Sequence, residues 1–203
     1  MSAQDDTALT FSDLLDSLGE LDEARGSPKK VRRAFTRFVD LSQRLTASMR
    51  IDHSRVVSRP WDASAFPRWT GDTAFLKWLR NEDQHARPIN VQVLERQHFR
   101  VDDSTNSLVL EVTWDLQDQM SDDVPRGLQV FASEHGELGR KDFALAVERV
   151  EYQYLLKPRS DVARAKLDSL KSADLHELAL RSMDVFSDYH EFYRLSLTSA
   201  EWK

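Results

Sequence analysis

The sequence predicts a mainly helical protein with one antiparallel β-hairpin inserted at about residues 89–114. Three observations carry this. Gly and Pro number only six each in a chain of 203 residues that is 31% charged. Apolar residues recur at helical spacing through most of the chain, and the period changes to alternation just after Pro88. The length suits one large domain, and no repeat, low-complexity tract or long Gly/Ser linker divides it. The expected organisation is an acidic N-terminal segment (1–27), a helical core (28–88), the hairpin (89–116) and C-terminal helices (141–203).

Residues 7–24 place Leu9, Phe11, Leu14, Leu15, Leu18 and Leu21 near helical spacing, weakened at Gly19. Ser27 then reads as an N-cap and Pro28 as the first residue of a helix running to about Ile51. Val31, Ala34, Phe35, Phe38, Val39, Leu41, Leu45 and Met49 form its apolar stripe. After a Pro- and Trp-rich loop, in which Trp61, Phe66 and Trp69 are expected to cover the bundle, Asp72 caps a helix that Pro88 stops. Ile89, Val91 and Val93 alternate with polar residues, and Leu108–Trp114 is rich in β-formers, hence the hairpin. Residues 115–141 read as loop, with a short strand at Leu128–Ala132. Helical spacing is then expected over Phe143–Leu155, again over about 161–172, and over 174–198 with Asp174 as cap.

Several function classes are excluded or disfavoured. The sequence contains no run of eighteen apolar residues, so no transmembrane helix is expected. The acidic start argues against a secretory signal, and the absence of cysteine removes thiol, iron–sulfur and disulfide chemistry and fits a cytoplasmic protein. Neither a phosphate-binding Gly loop nor a Gly-x-Ser-x-Gly elbow occurs. His176-Glu177 fails as a zincin helix because position 180 is Leu, and Asp184, Asp188, His190 and Glu191 are poorly spaced for a metal. No metal and no cofactor is expected. His53 reads as an exposed residue at a helix end, His98 as facing solvent from a strand, and His135 as lying in a loop.

Charge is unevenly placed. Residues 1–24 carry seven acids and no base, residues 25–100 carry 16 Lys/Arg against 7 Asp/Glu, and residues 101–203 carry 12 against 20. A basic middle with Lys29, Lys30, Arg32, Arg33, Arg37 and Arg44 on one helix suits the phosphates of RNA. The competing expectation is that the acidic head folds onto this helix, as an autoinhibitory cover or simply as packing.

The segment FLKWLRNEDQHARP (75–88) holds Arg80, Asn81 and His85. Five helical steps separate Arg80 and His85 by about 140°, whereas Asn81 and His85 share a face. Arg80 and His85 converge only if the helix loosens before Pro88. The pattern Arg80-Asn81-x-x-x-His85 resembles the signature of the HEPN superfamily: Arg, a polar residue, then His after four to six residues. The resemblance covers roughly residues 28–90 and leaves the hairpin and the C-terminal helices unexplained.

That resemblance implies a HEPN-like helical bundle that forms a homodimer and cleaves RNA without a metal, at a site composed by two protomers. His85 is then the acid/base, Arg80 the phosphate clamp and Asn81 a positioning group. It further implies a toxin or phage-defence role, with an antitoxin or other protein partner. Two alternatives stand beside it: a non-catalytic HEPN-like interaction module, and a helical nucleic-acid-binding protein that uses residues 29–50. A purely structural role is open too, with Arg80 paired to a nearby acid and His85 at the helix C-terminus.

Overall fold

The computed structural model describes residues 3–24, 27–58, 69, 71–85, 90–102, 107–115, 144–158 and 160–201. Their elements are α1 (Ala3–Glu23), α2 (Pro28–Val57), α3 (Gly71–His85), β1 (Val91–Asp102), β2 (Ser107–Asp115), β3 (Ala144–Leu156), α4 (Asp161–Asp168) and α5 (Leu175–Glu201). The chain is thus mainly helical with an antiparallel sheet, as its composition and periodicity predict. The expectations for Trp61, Phe66, Pro88, the strand at Leu128–Ala132 and His135 lie outside the described residues.

The helices start where their side chains can satisfy otherwise unpaired amides. Ser27, in an extended conformation, accepts the Lys30 N–H at 3.5 Å, and Pro28 occupies the first turn, where no donor is needed. Asp174 Oδ1 accepts the N–H groups of His176 (2.9 Å) and Glu177 (3.1 Å) at the start of α5. Its Oδ2 accepts the Tyr154 N–H at 3.1 Å, so one buried carboxylate fastens β3 to α5. The α2 helix continues past Ile51 to Val57 and closes on Ser58, which adopts the left-handed conformation (φ 54°).

Leu14 and Leu21 of α1, Val31, Phe35, Phe38, Leu45 and Met49 of α2, and Leu178, Phe186 and Tyr189 of α5 are buried in one core. Each such side chain contributes about 1.5–3 kcal/mol of burial. Contacts fix the helix directions: Thr7 lies by Asp52, Glu20 by Arg37, and Asp22 by His176. So α1 runs antiparallel to both α2 and α5. Phe75, Leu76 and Leu79 dock α3 against this layer, and Trp69 meets Phe186 and Tyr189 edge-on.

The sheet corrects the sequence expectation. Residues 144–156, read as the first of the C-terminal helices, form strand β3, and the expected hairpin is two strands of a three-stranded sheet ordered β2-β1-β3. Val150 and Tyr154, four residues apart, satisfy either period, and Val147 extends the helical one. What decides is the alternation Val150, Tyr152, Tyr154, Leu156 and antiparallel pairing with β1, from Val91↔Leu156 to Asp102↔Ala144. The ladder shifts register between His98 and Phe99, a β-bulge. On β1, Val91, Val93 and Gln97 face inward while Arg96 and Arg100 are exposed.

Candidate functional site

The basic residues of α2 are displayed by the helix period. Lys29, Lys30, Arg33, Arg37 and Arg44 fall within a sector about 100° wide and are exposed. Arg32 lies outside that sector and is half-buried. The acidic helix α1 packs along a neighbouring face of α2, and Glu20 pairs with Arg37. Lys29, Lys30, Arg33 and Arg44 remain exposed, so the acidic head folds onto the basic helix without covering its stripe.

The same sector contains Asp40, three residues after Arg37 and four before Arg44, hence adjacent to both on the helix surface. Arg80 reaches over from α3 and places its Nε 3.6 Å from Asp40 Oδ1, with both side chains partly exposed. A pair this open and this long contributes little to stability. Its consequence is placement: Arg80 sits on the α2 stripe, where three arginines, Arg37, Arg44 and Arg80, surround one carboxylate. Asn81 follows it, exposed.

His85 is the last residue of α3, and its side chain lies outside the described residues. The helix is unbroken up to it, so the loosening that would bring Arg80 and His85 together in one chain does not occur before His85. The two positions keep their separation of about 140° around the axis. Asn81 and His85 are one turn apart on a shared face.

The start of α3 is anchored firmly. Arg181 of α5 grips Asp72 through Nε (2.9 Å) and Nη2 (3.2 Å), and this hydrogen bonding raises the guanidinium pKa further. Trp78 is partly buried against the core and carries Lys166 over its ring at 5.6 Å. Its ring is thereby occupied by packing and by Lys166.

Two histidine expectations are corrected. His53 is half-buried within α2, because the helix continues beyond it. His98 is half-buried rather than turned to solvent, with Nε2 3.8 Å from Glu151 of the paired strand β3. His190 is stacked on Phe11 with ring centroids 4.3 Å apart, and burial, aided by Arg194, lowers its pKa. Among the described residues no group of three or more acids and histidines could hold a metal, and no helix is long and apolar enough to cross a membrane.

Two features went unread in the sequence. Asp52, 5% exposed, accepts hydrogen bonds from Thr7 Oγ1 (2.8 Å) and from the Tyr193 hydroxyl (3.3 Å), tying α1, α2 and α5 together. A groove of about 480 Å³ opens beside β3, lined by Arg96, Arg149, Glu151, Tyr152, Asp174 and His176 among others. Its arginines are matched, Arg96 with Glu111 at 3.1 Å and Arg149 with Glu151 at 2.6 Å, and His176 lies 3.6 Å from Asp22. It therefore lacks the uncompensated positive field of the α2 stripe. No family model, no curated protein and no solved structure matches the chain.

Proposed function

We propose that this protein is a HEPN-type endoribonuclease that binds RNA along the basic stripe of α2 and cleaves it at α3. The observation carrying this reading is the Arg80–Asp40 contact, which sets the arginine of the motif among Arg37 and Arg44. An RNA backbone following Lys29, Arg33, Arg37 and Arg44 passes Arg80, whose guanidinium can exchange a weak carboxylate partner for a phosphate. The 2′-hydroxyl next to that phosphate attacks it, His85 transfers the proton, and Arg80 neutralises charge on the phosphate oxygens. The products carry a 2′,3′-cyclic phosphate and a 5′-hydroxyl.

The separation of Arg80 and His85 around α3 suits a site in which two copies supply the groups jointly. The homodimer belongs to this reading, and a toxin or phage-defence role extends it by family analogy alone. The same separation also favours a second reading, an RNA-binding protein that does not cleave.

The test is incubation of total RNA with the protein in EDTA, beside Arg80→Ala and His85→Ala. The expected result is fragments ending in 2′,3′-cyclic phosphate, with cleavage reduced about 10²-fold or more in each variant. Intact RNA that is nevertheless bound supports the second reading. Cleavage unchanged in both variants overturns the assignment of the site.

A further inference from the structure

Strand β3 is an edge of the sheet among the described residues, and its outer side is closed at one end only. There the Tyr154 N–H goes to Asp174, the Leu156 N–H goes to the Ala173 carbonyl at 3.2 Å, and Leu155 bridges to Asp174. Backbone direction alternates along an antiparallel strand, so Tyr152 and Val150 turn their N–H and C=O groups to the same outer side as Tyr154. They line the groove described above, and no described strand pairs with them. Val150 is 40% exposed in the middle of this short edge. An open edge of this kind is a template for a further strand.

The side chains around Val150 specify which strand. Arg149 and Glu151 flank it on the same face of the sheet, and the Arg149 side chain is 71% exposed. Placing a two-fold axis at Val150 pairs the edge with itself in antiparallel fashion. Each Arg149 then stands directly opposite the second copy's Glu151, and this happens twice. A strand with two like charges at these positions would be attracted at one and repelled at the other. The other lining arginine, Arg96, is already paired with Glu111, so the groove offers no free positive charge to select an anionic partner.

We propose that β3 pairs with β3 of a second copy of this chain, centred on Val150, so that the two sheets join into one of six strands. The pairing is short, because Asp174 closes the edge at Tyr154 and the bulge interrupts it beyond Arg149. It therefore depends on protein concentration. This interface is independent of the ribonuclease reading, which concerns α3.

Charge reversal tests the pairing through sedimentation equilibrium. Arg149→Glu sets like charges opposite each other across the axis, and so does Glu151→Arg. Each variant alone should show half the wild-type mass at a concentration where the wild type is associated. An equimolar mixture of the two variants recreates both opposite-charge pairs between chains, and it should regain the wild-type mass. The intrachain Arg149–Glu151 pair is not restored by mixing, and a misfolded variant would not recover, so regain reports the interface itself. Wild-type and variant masses that are equal overturn the proposal, as does a mixture that stays at half mass. An assembly through α3 multiplies every mass alike and leaves these ratios unchanged.

Discussion

Helix α2 carries one aspartate on each of two flanks, and the two have opposite surroundings. Asp52 is 5% exposed and receives two hydroxyl donors from α1 and α5, in a part of the core that also holds Met49 and Tyr189. Asp40 is about half exposed, has Arg37 and Arg44 as helix neighbours, and touches Arg80 at 3.6 Å. Removing the first withdraws the acceptor of two buried hydroxyls. Removing the second takes one negative charge out of a positive surface. The same residue type on one helix thus acts on stability in one place and on the electrostatic field in the other, and burial makes the difference.

The comparison breaks most readily at Asp52. Asp52→Ala leaves the hydroxyls of Thr7 and Tyr193 without their acceptor, and the expected loss is about 2–4 kcal/mol of folding stability, read from urea unfolding. A loss as small as that of a surface substitution would mean that the three-helix junction does not depend on this carboxylate.

Asp40→Asn sharpens the contrast. Stability should stay within about 0.5 kcal/mol of wild type. Affinity for single-stranded RNA at low salt should rise about two- to five-fold, because a charge facing the phosphates is removed. Unchanged or weaker RNA binding would separate Asp40, and Arg80 with it, from the RNA path.

The smallest expected effect comes from the α1–α5 seam, where His190 stacks between Phe11 and Tyr193. Burial, and secondarily Arg194, depresses its folded pKa, so the unfolded chain takes up a proton more readily than the native one. The stabilising contribution is complete above the unfolded value of about 6.5 and is lost as pH falls through the folded value. The urea midpoint of the wild type should therefore fall more between pH 7.5 and 5.5 than that of His190→Phe. Equal falls would show that His190 titrates alike in both states.

Features set by neighbours in the chain were legible in the sequence. The Ser27-Pro28 start of α2, the Asp174 cap of α5, the buried stripe of α2 and its basic sector all follow from local periodicity and capping chemistry. Features made by distant partners were not. Asp52 gains its donors from residues 45 and 141 positions away, and nothing around it in the sequence distinguishes it from a surface carboxylate. Strand β3 is not legible for the same reason: Val150 and Tyr154 fit both periods, Val147 favours the helical one, and the ladder with β1 decides between them. The candidate site was legible as a motif, whereas the proximity of Arg80 to the α2 stripe depends on how α3 packs. The unbroken helix up to His85 then removes the simplest way for the motif to close within one chain.

The central claim is that the exposed flank of α2 follows an RNA backbone past Arg80. The salt dependence of single-stranded RNA binding tests it most directly, measured for wild type and for the triple variant Lys29→Gln, Arg33→Gln, Arg44→Gln. Each lost phosphate contact should lower the slope of log affinity against log salt by about 0.7, and the three together by about 2. A reduced slope with an unchanged unfolding midpoint is the predicted result. A slope equal to that of wild type would contradict the claim and place RNA, if it binds, on another surface.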